Sequence, residues 1–182
     1  MKNTQFKISK STIQVYYLRP EGHHCGWADI SLDIGENAGR LSISSDYGNW
    51  AFYWGSCGCP FKEFLISLDM YYMSGKMRES NWFDHSTTMK EMKRIVLEER
   101  RDEALSAEKA RELFDEVSTF DEHDQMEAFK VAMWHSELLG FFDYSPPIMT
   151  DVSPSFKRFF KTTWQAFIGQ LKEETKLQTV SK

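Results

Sequence analysis

Close to Pro60 the spacing of apolar residues changes from every second position to every third or fourth. A chain written this way must build a sheet first and helices afterwards. Upstream, Ala28, Ile30, Leu32 and Ile34 alternate with Asp29, Ser31 and Asp33, which suits an antiparallel strand with one wet face. Residues 35–39 supply turn chemistry, Leu41 and Ile43 resume the alternation, and Asp46-Tyr47-Gly48-Asn49 turns the chain again before Trp50, Phe52 and Trp54. Phe6 with Ile8, and then Ile13, Val15 and Tyr17, alternate in the same manner. The expectation is a meander of four or five strands.

Downstream, Pro60 suits a first helical turn, and Phe61, Phe64, Leu65 and Leu68 follow at helical spacing with Gly75 as the stop. Residues 80–85 read as a polar loop. Met89, Met92 and Val96 begin a second helix that reaches about Leu105. Ser106 caps a third, with Ala110, Leu113, Phe114 and Val117 on its apolar stripe. Asp121 caps a fourth, which carries Met126, Phe129, Met133 and Trp134 as far as Gly140. Ser153-Pro154 opens the last helix, striped by Phe156, Phe159, Phe160, Trp164, Phe167, Ile168 and Leu171. The fold class is therefore α+β. One domain of residues 1–182 is expected, an antiparallel sheet over 4–55 covered on one face by about five helices over 60–177. Its 182 residues suffice for one hydrophobic core, and no repeat or linker divides them.

The composition narrows the classes of function. No stretch approaches the roughly 20 apolar residues of a membrane span, and no apolar segment follows Lys2 to make a signal peptide. Three cysteines, an odd number, suit free thiols in a reducing cytoplasm. Net charge is −5, unevenly spread: residues 94–127 hold twelve acidic and five basic side chains, so the remainder is slightly basic. An acidic region of this kind repels a phosphate backbone and suits a protein partner with a basic surface.

Candidate chemistry is sparse. His23, His24 and Cys25, taken with Cys57 and Cys59, offer zinc ligands or a thiol beside a base. Adjacent His-His and Cys-x-Cys lack the spacing of structural zinc sites, so ordinary turn and core residues are expected, with no metal and no cofactor. The chain has no phosphate-binding glycine loop, nucleophile elbow or His-Glu-x-x-His, and no catalytic residue is assigned. Trp50, Phe52 and Trp54 could stack nucleobases, but no Lys or Arg lies between Gly48 and Pro60. Packing beneath the C-terminal aromatic helix is the expected role of these rings. A nucleic acid or nucleotide at the open face of the sheet, held by Arg40, Tyr47 and Tyr53, is the alternative. Glu98, Glu99, Asp102, Glu108, Glu112, Asp115 and Glu116 fall off the apolar stripes and are expected to face water as the partner-binding surface.

Residues 39–65, GRLSISSDYGNWAFYWGSCGCPFKEFL, resemble small proteins of tailed phages and prophages of enteric and related bacteria. The likeness rests on Ser45-Asp46-Tyr47-Gly48, Tyr53-Trp54-Gly55 and Phe61-Lys62-Glu63-Phe64-Leu65, and extends to the segment from Ala107 to Glu116. It carries no catalytic assignment. It implies a phage accessory protein in the host cytoplasm, and with the acidic helices it points to a protein-binding inhibitor of a bacterial defence component.

Overall fold

The computed structural model describes residues 10–22 and 25–180, apart from the side chains of Asp121 and residues 178–180. The strands are β1 (Gln14–Leu18), β2 (Ala28–Ile34), β3 (Gly39–Ser45), β4 (Gly48–Trp54), β5 (Trp82–Phe83) and β6 (Thr150–Asp151). The helices are α1 (Phe61–Ser67), α2 (Met70–Met77), α3 (His85–Arg101), α4 (Ala107–Ser118), α5 (Met126–Trp134), α6 (Glu137–Phe141), α7 (Pro154–Lys161) and α8 (Thr163–Val180). The α+β expectation is borne out. The chain forms two compact units: unit 1 joins residues 1–80 to 152–182, and unit 2 is residues 81–151.

In unit 1, β1 to β4 form an antiparallel meander in sequence order. The register aligns Ile30, Ile43 and Trp50 in one row and Leu32, Leu41 and Phe52 in the next. Alternation turns these rows to one face, which α1, α2, α7 and α8 cover. Trp50 meets Phe156 and Phe159 of α7 at 5.0 Å each, as expected of the C-terminal aromatic helix. Trp54 packs instead on Phe61 and Phe64 of α1. Gly39 lies opposite Trp54, where a Cβ would come within 2.4 Å of the Phe61 ring, so α1 seats on the sheet only because this position has no side chain. Phe156, Phe159, Trp164 and Phe167 are fully buried, and each contributes about 1.5–3 kcal/mol by leaving water.

Unit 2 has its own core, in which Met89, Met92 and Val96 of α3 meet Leu113 and Val117 of α4 and Phe129 and Met133 of α5. Its two ends are clipped together by β5 and β6, which pair Trp82 with Asp151 and Phe83 with Thr150. Ser106 caps α4 by accepting from Lys109 N–H, and Ser153 caps α7 with Pro154 in its first turn, both as the sequence predicts.

Several expectations need correction. Residues 80–85 are not wholly loop, because Trp82 and Phe83 find a partner strand nearly seventy positions away. Gly75 does not stop a helix. The first helical segment breaks at Leu68, Asp69 caps α2, and Arg78 ends it in the left-handed conformation. The fourth helix is two, α5 and α6, with Ser136 capping the second by accepting from Leu138 N–H, and Gly140 lies inside α6. The last helix is interrupted at Thr162. Ile13, Val15 and Tyr17 face outward, while Tyr16 and Leu18 pack against the core. The Phe6 and Ile8 strand lies outside the described residues. No helix of the described residues is long and apolar enough to cross a membrane.

Candidate functional site

The acidic residues singled out in the sequence all lie on α3 and α4 of unit 2 or at the end of α3. On α4, Leu113, Val117 and Ala110 are buried, so a helix of 3.6 residues per turn carries Glu108, Glu112 and Asp115 round to the opposite side. These three are exposed and form one face with Arg111 among them. Glu99 and Asp102 are exposed at the C-terminal end of α3.

Three of the seven have partners inside the unit. Glu98 pairs with Arg94, which also holds Glu91 at 2.5 Å. Glu116 accepts from the Ser136 hydroxyl at 2.7 Å and from the Glu137 N–H at 3.2 Å, at the start of α6. Glu112 shares Lys109 with Glu137, whose carboxyl that ammonium holds below the usual range. Among the described residues no cation pairs with Glu99, Asp102, Glu108 or Asp115.

Trp134, expected in the core, is 73% exposed. Val131, one turn earlier, is 63% exposed, and a shallow apolar depression beside it is bounded by His123, Ala128, Ala132 and His135. The signal was present in the spacing. Trp134 directly follows the buried Met133, and one residue is about 100° of helical rotation away.

In unit 1 the residues of the nucleotide alternative separate. The Arg40 guanidinium lies 5.9 Å from the centre of the exposed Tyr53 ring, its register partner on β4. Tyr47 sits at the other end of the β3–β4 hairpin, against Phe159. Arg19 lies 5.5 Å from the ring centres of both Tyr17 and Trp27, donates to the Leu18 and Ala28 carbonyls, and is 2.6 Å from the Asp29 carboxylate.

A groove of about 820 Å³ runs between β1 and α8, lined by Val15, Tyr17 and Leu18 on the strand side and Thr163, Ala166 and Gln170 on the helix. Tyr16, which also lines it, donates to Glu174 at 2.9 Å, and Lys62 donates to Glu174 at 2.7 Å and to the Tyr16 hydroxyl at 3.0 Å. Sequence reading missed this trio because its members come from β1, α1 and α8, with no local pattern linking them.

His23 and His24 lie outside the described residues. Cys25 is exposed near the start of β2, whereas Cys57 N–H bonds to the Asn37 carbonyl beyond its end. The seven residues of β2 put about 20 Å between those two ends. The Cys59 thiol donates to the Cys57 carbonyl at 3.7 Å, and burial, helped by Cys59, pushes the Cys57 thiol up. A raised thiol is a poor nucleophile. Among the described residues no three His, Cys, Asp or Glu side chains could hold a metal ion.

A family model, Phage_phiTE_072, described as a phage family, covers residues 6–173. No curated protein and no solved structure matches.

Proposed function

The chain belongs to this phage family, and on that premise we propose that it is a non-enzymatic accessory protein that acts in the host cell by binding a basic protein surface, as an inhibitor of a bacterial defence component. The single observation that carries the reading is the α4 face, where Glu108 and Asp115 stand exposed with no cation paired to them among the described residues. Carboxylates that serve the unit itself are tied up, as Glu98 and Glu116 are, while these remain available to a partner. Trp134 adds the kind of large, exposed ring that anchors interfaces.

Long-range attraction between such a face and a basic partner acts mainly on the rate of encounter. Glu108→Lys with Asp115→Lys is therefore expected to slow association with a partner captured from host lysate and to flatten its salt dependence. The melting temperature should hold, since exposed charges of this kind contribute only about 0–1 kcal/mol. Stopped-flow or surface-binding kinetics at low and high salt decide it. Equal association rates for the parent and the doubly reversed chain at low salt defeat the reading.

A further inference from the structure

From the outer edge of β1, which no described strand pairs, and the groove beside it, we propose that unit 1 binds an extended, uncharged segment of another protein as an added strand along β1. The hydrogen-bond phase of the ladder fixes which backbone groups of β1 are available. Asp46 N–H donates to the Trp27 carbonyl and Gly35 N–H to the Ala38 carbonyl, which marks residues 27 and 35 as facing β3. Bonded pairs alternate in an antiparallel ladder, so Ala28, Ile30 and Leu32 face β1, where their register partners are Leu18, Tyr16 and Gln14. The N–H and C=O groups of Val15 and Tyr17 therefore point away from the sheet.

Edge strands are commonly blunted by lysine, proline or a bulge. The β1 sequence QVYYL has neither residue, and its register with β2 runs unbroken through five pairs. The edge opens into the groove of about 820 Å³, whose far wall is Thr163, Ala166 and Gln170, spaced along one side of α8. A strand edge facing a helix across a groove is the geometry in which an extended peptide adds to a sheet.

The walls also select the occupant. Arg19, the one cation among the described lining residues, is matched by Asp29, which suits an uncharged segment. Tyr16, Leu18 and Phe167 offer apolar contact on the covered side, and Val15 and Tyr17 on the open side, which suits alternating β-branched or aromatic residues. A lone strand fits better than a second copy, because the β1 edge of a second copy would bring its own α8 into the same groove. The proposal does not depend on the acidic face of unit 2.

A displayed library of random linear heptapeptides, panned against the full chain, tests it. Enrichment of alternating β-branched or aromatic sequences is expected. Amide exchange at Val15 and Tyr17 should be fast in the free chain and slowed about tenfold or more by a selected peptide. Val15→Pro removes only an outward N–H, and Ala166→Trp fills the helix wall without touching the strand; each should weaken peptide binding about tenfold or more. If Val15→Pro fails to fold, Ala166→Trp alone decides. Glu108→Lys should leave peptide binding unchanged, which separates this site from the acidic one. The proposal falls if no sequence is enriched, or if selected peptides bind Ala166→Trp as tightly as the parent. It falls equally if Val15 and Tyr17 exchange slowly in the free chain, since the edge is then already occupied.

Discussion

Lys62, Tyr16 and Glu174 join three elements of unit 1 through one carboxylate, and their titration should be visible in the stability of the whole unit. Burial disfavours the charge on Glu174, but hydrogen bonds from Lys62, Gln170 and Tyr16 outweigh it and hold the carboxyl below its ordinary 4.5. Burial likewise opposes the charge on Lys62, and its bonds to Glu174 and Tyr16 outweigh that and raise it above the ordinary 10.5. A depressed carboxyl stabilises fully above its unfolded value and loses that contribution as pH falls through the folded one. A raised ammonium stabilises fully below its unfolded value and loses it as pH rises. The Lys62–Glu174 pair thus contributes fully from about pH 4.5 to 10.5. Lys62→Met is expected to lower stability by about 1–2 kcal/mol at pH 7. The gap from the parent should close in acid, where Glu174 is protonated in both chains. Urea unfolding across pH 3–10 measures it, and a gap that stays constant down to pH 3 would assign the loss to packing of the lysine stem.

At the scale of elements, α5 shows what an apolar pattern does and does not fix. Phe129 and Met133 are buried at helical spacing, yet Trp134 and Val131 point to water. Trp134→Ala should therefore leave the melting temperature of the chain within about 1 °C, the behaviour of a surface substitution. A core tryptophan truncated in the same way removes about 3–5 kcal/mol, so differential scanning calorimetry separates the two readings cleanly. Strands β2 to β4 were legible because alternation and turn residues are local, and the caps at Ser106 and Ser153 for the same reason. The pairing of Trp82 with Asp151 was not, since a two-residue strand has no period and its partner is supplied by tertiary structure. The inward and outward faces of β1 were misread for a related reason: both sets of its residues are apolar or aromatic, and only the register with β2 separates Tyr16 and Leu18 from Val15 and Tyr17. Of the candidate site, the acidic face of α4 followed from its stripe. The groove along β1 did not, because residues 15–20 and 162–170 meet only in the folded unit.

For the molecule as a whole, unit 2 interrupts unit 1, whose sheet and last two helices belong to opposite ends of the sequence. The two ends of the interruption are held close on either side: Ser153 N–H donates to the Glu79 carbonyl at 2.8 Å in unit 1, and β5 pairs with β6 in unit 2. If unit 2 melted, unit 1 would have to close a floppy loop of residues 81–151, at an entropic cost of about 4 kcal/mol by the logarithmic loop law. On that linkage we propose that the chain melts as one cooperative domain. Phe129→Ala, a cavity in the unit 2 core expected to remove about 3–5 kcal/mol, should lower the melting of Trp50 and Trp164 fluorescence together with the helical signal, in one transition. Two separated transitions, with the unit 1 tryptophans unmoved, would make the units independent. The same interruption sets a timetable during synthesis. The apolar rows of β2, β3 and β4 leave the ribosome before α7 and α8, two of the four helices that cover them, with some 100 residues between Trp54 and Pro154, and translation at about 5–20 residues per second leaves their share of the face bare for about 5–20 s. A nascent chain stalled before Pro154 would thus carry a sheet whose Trp50 side still lacks Phe156 and Phe159, a natural substrate for chaperones that shield apolar surface.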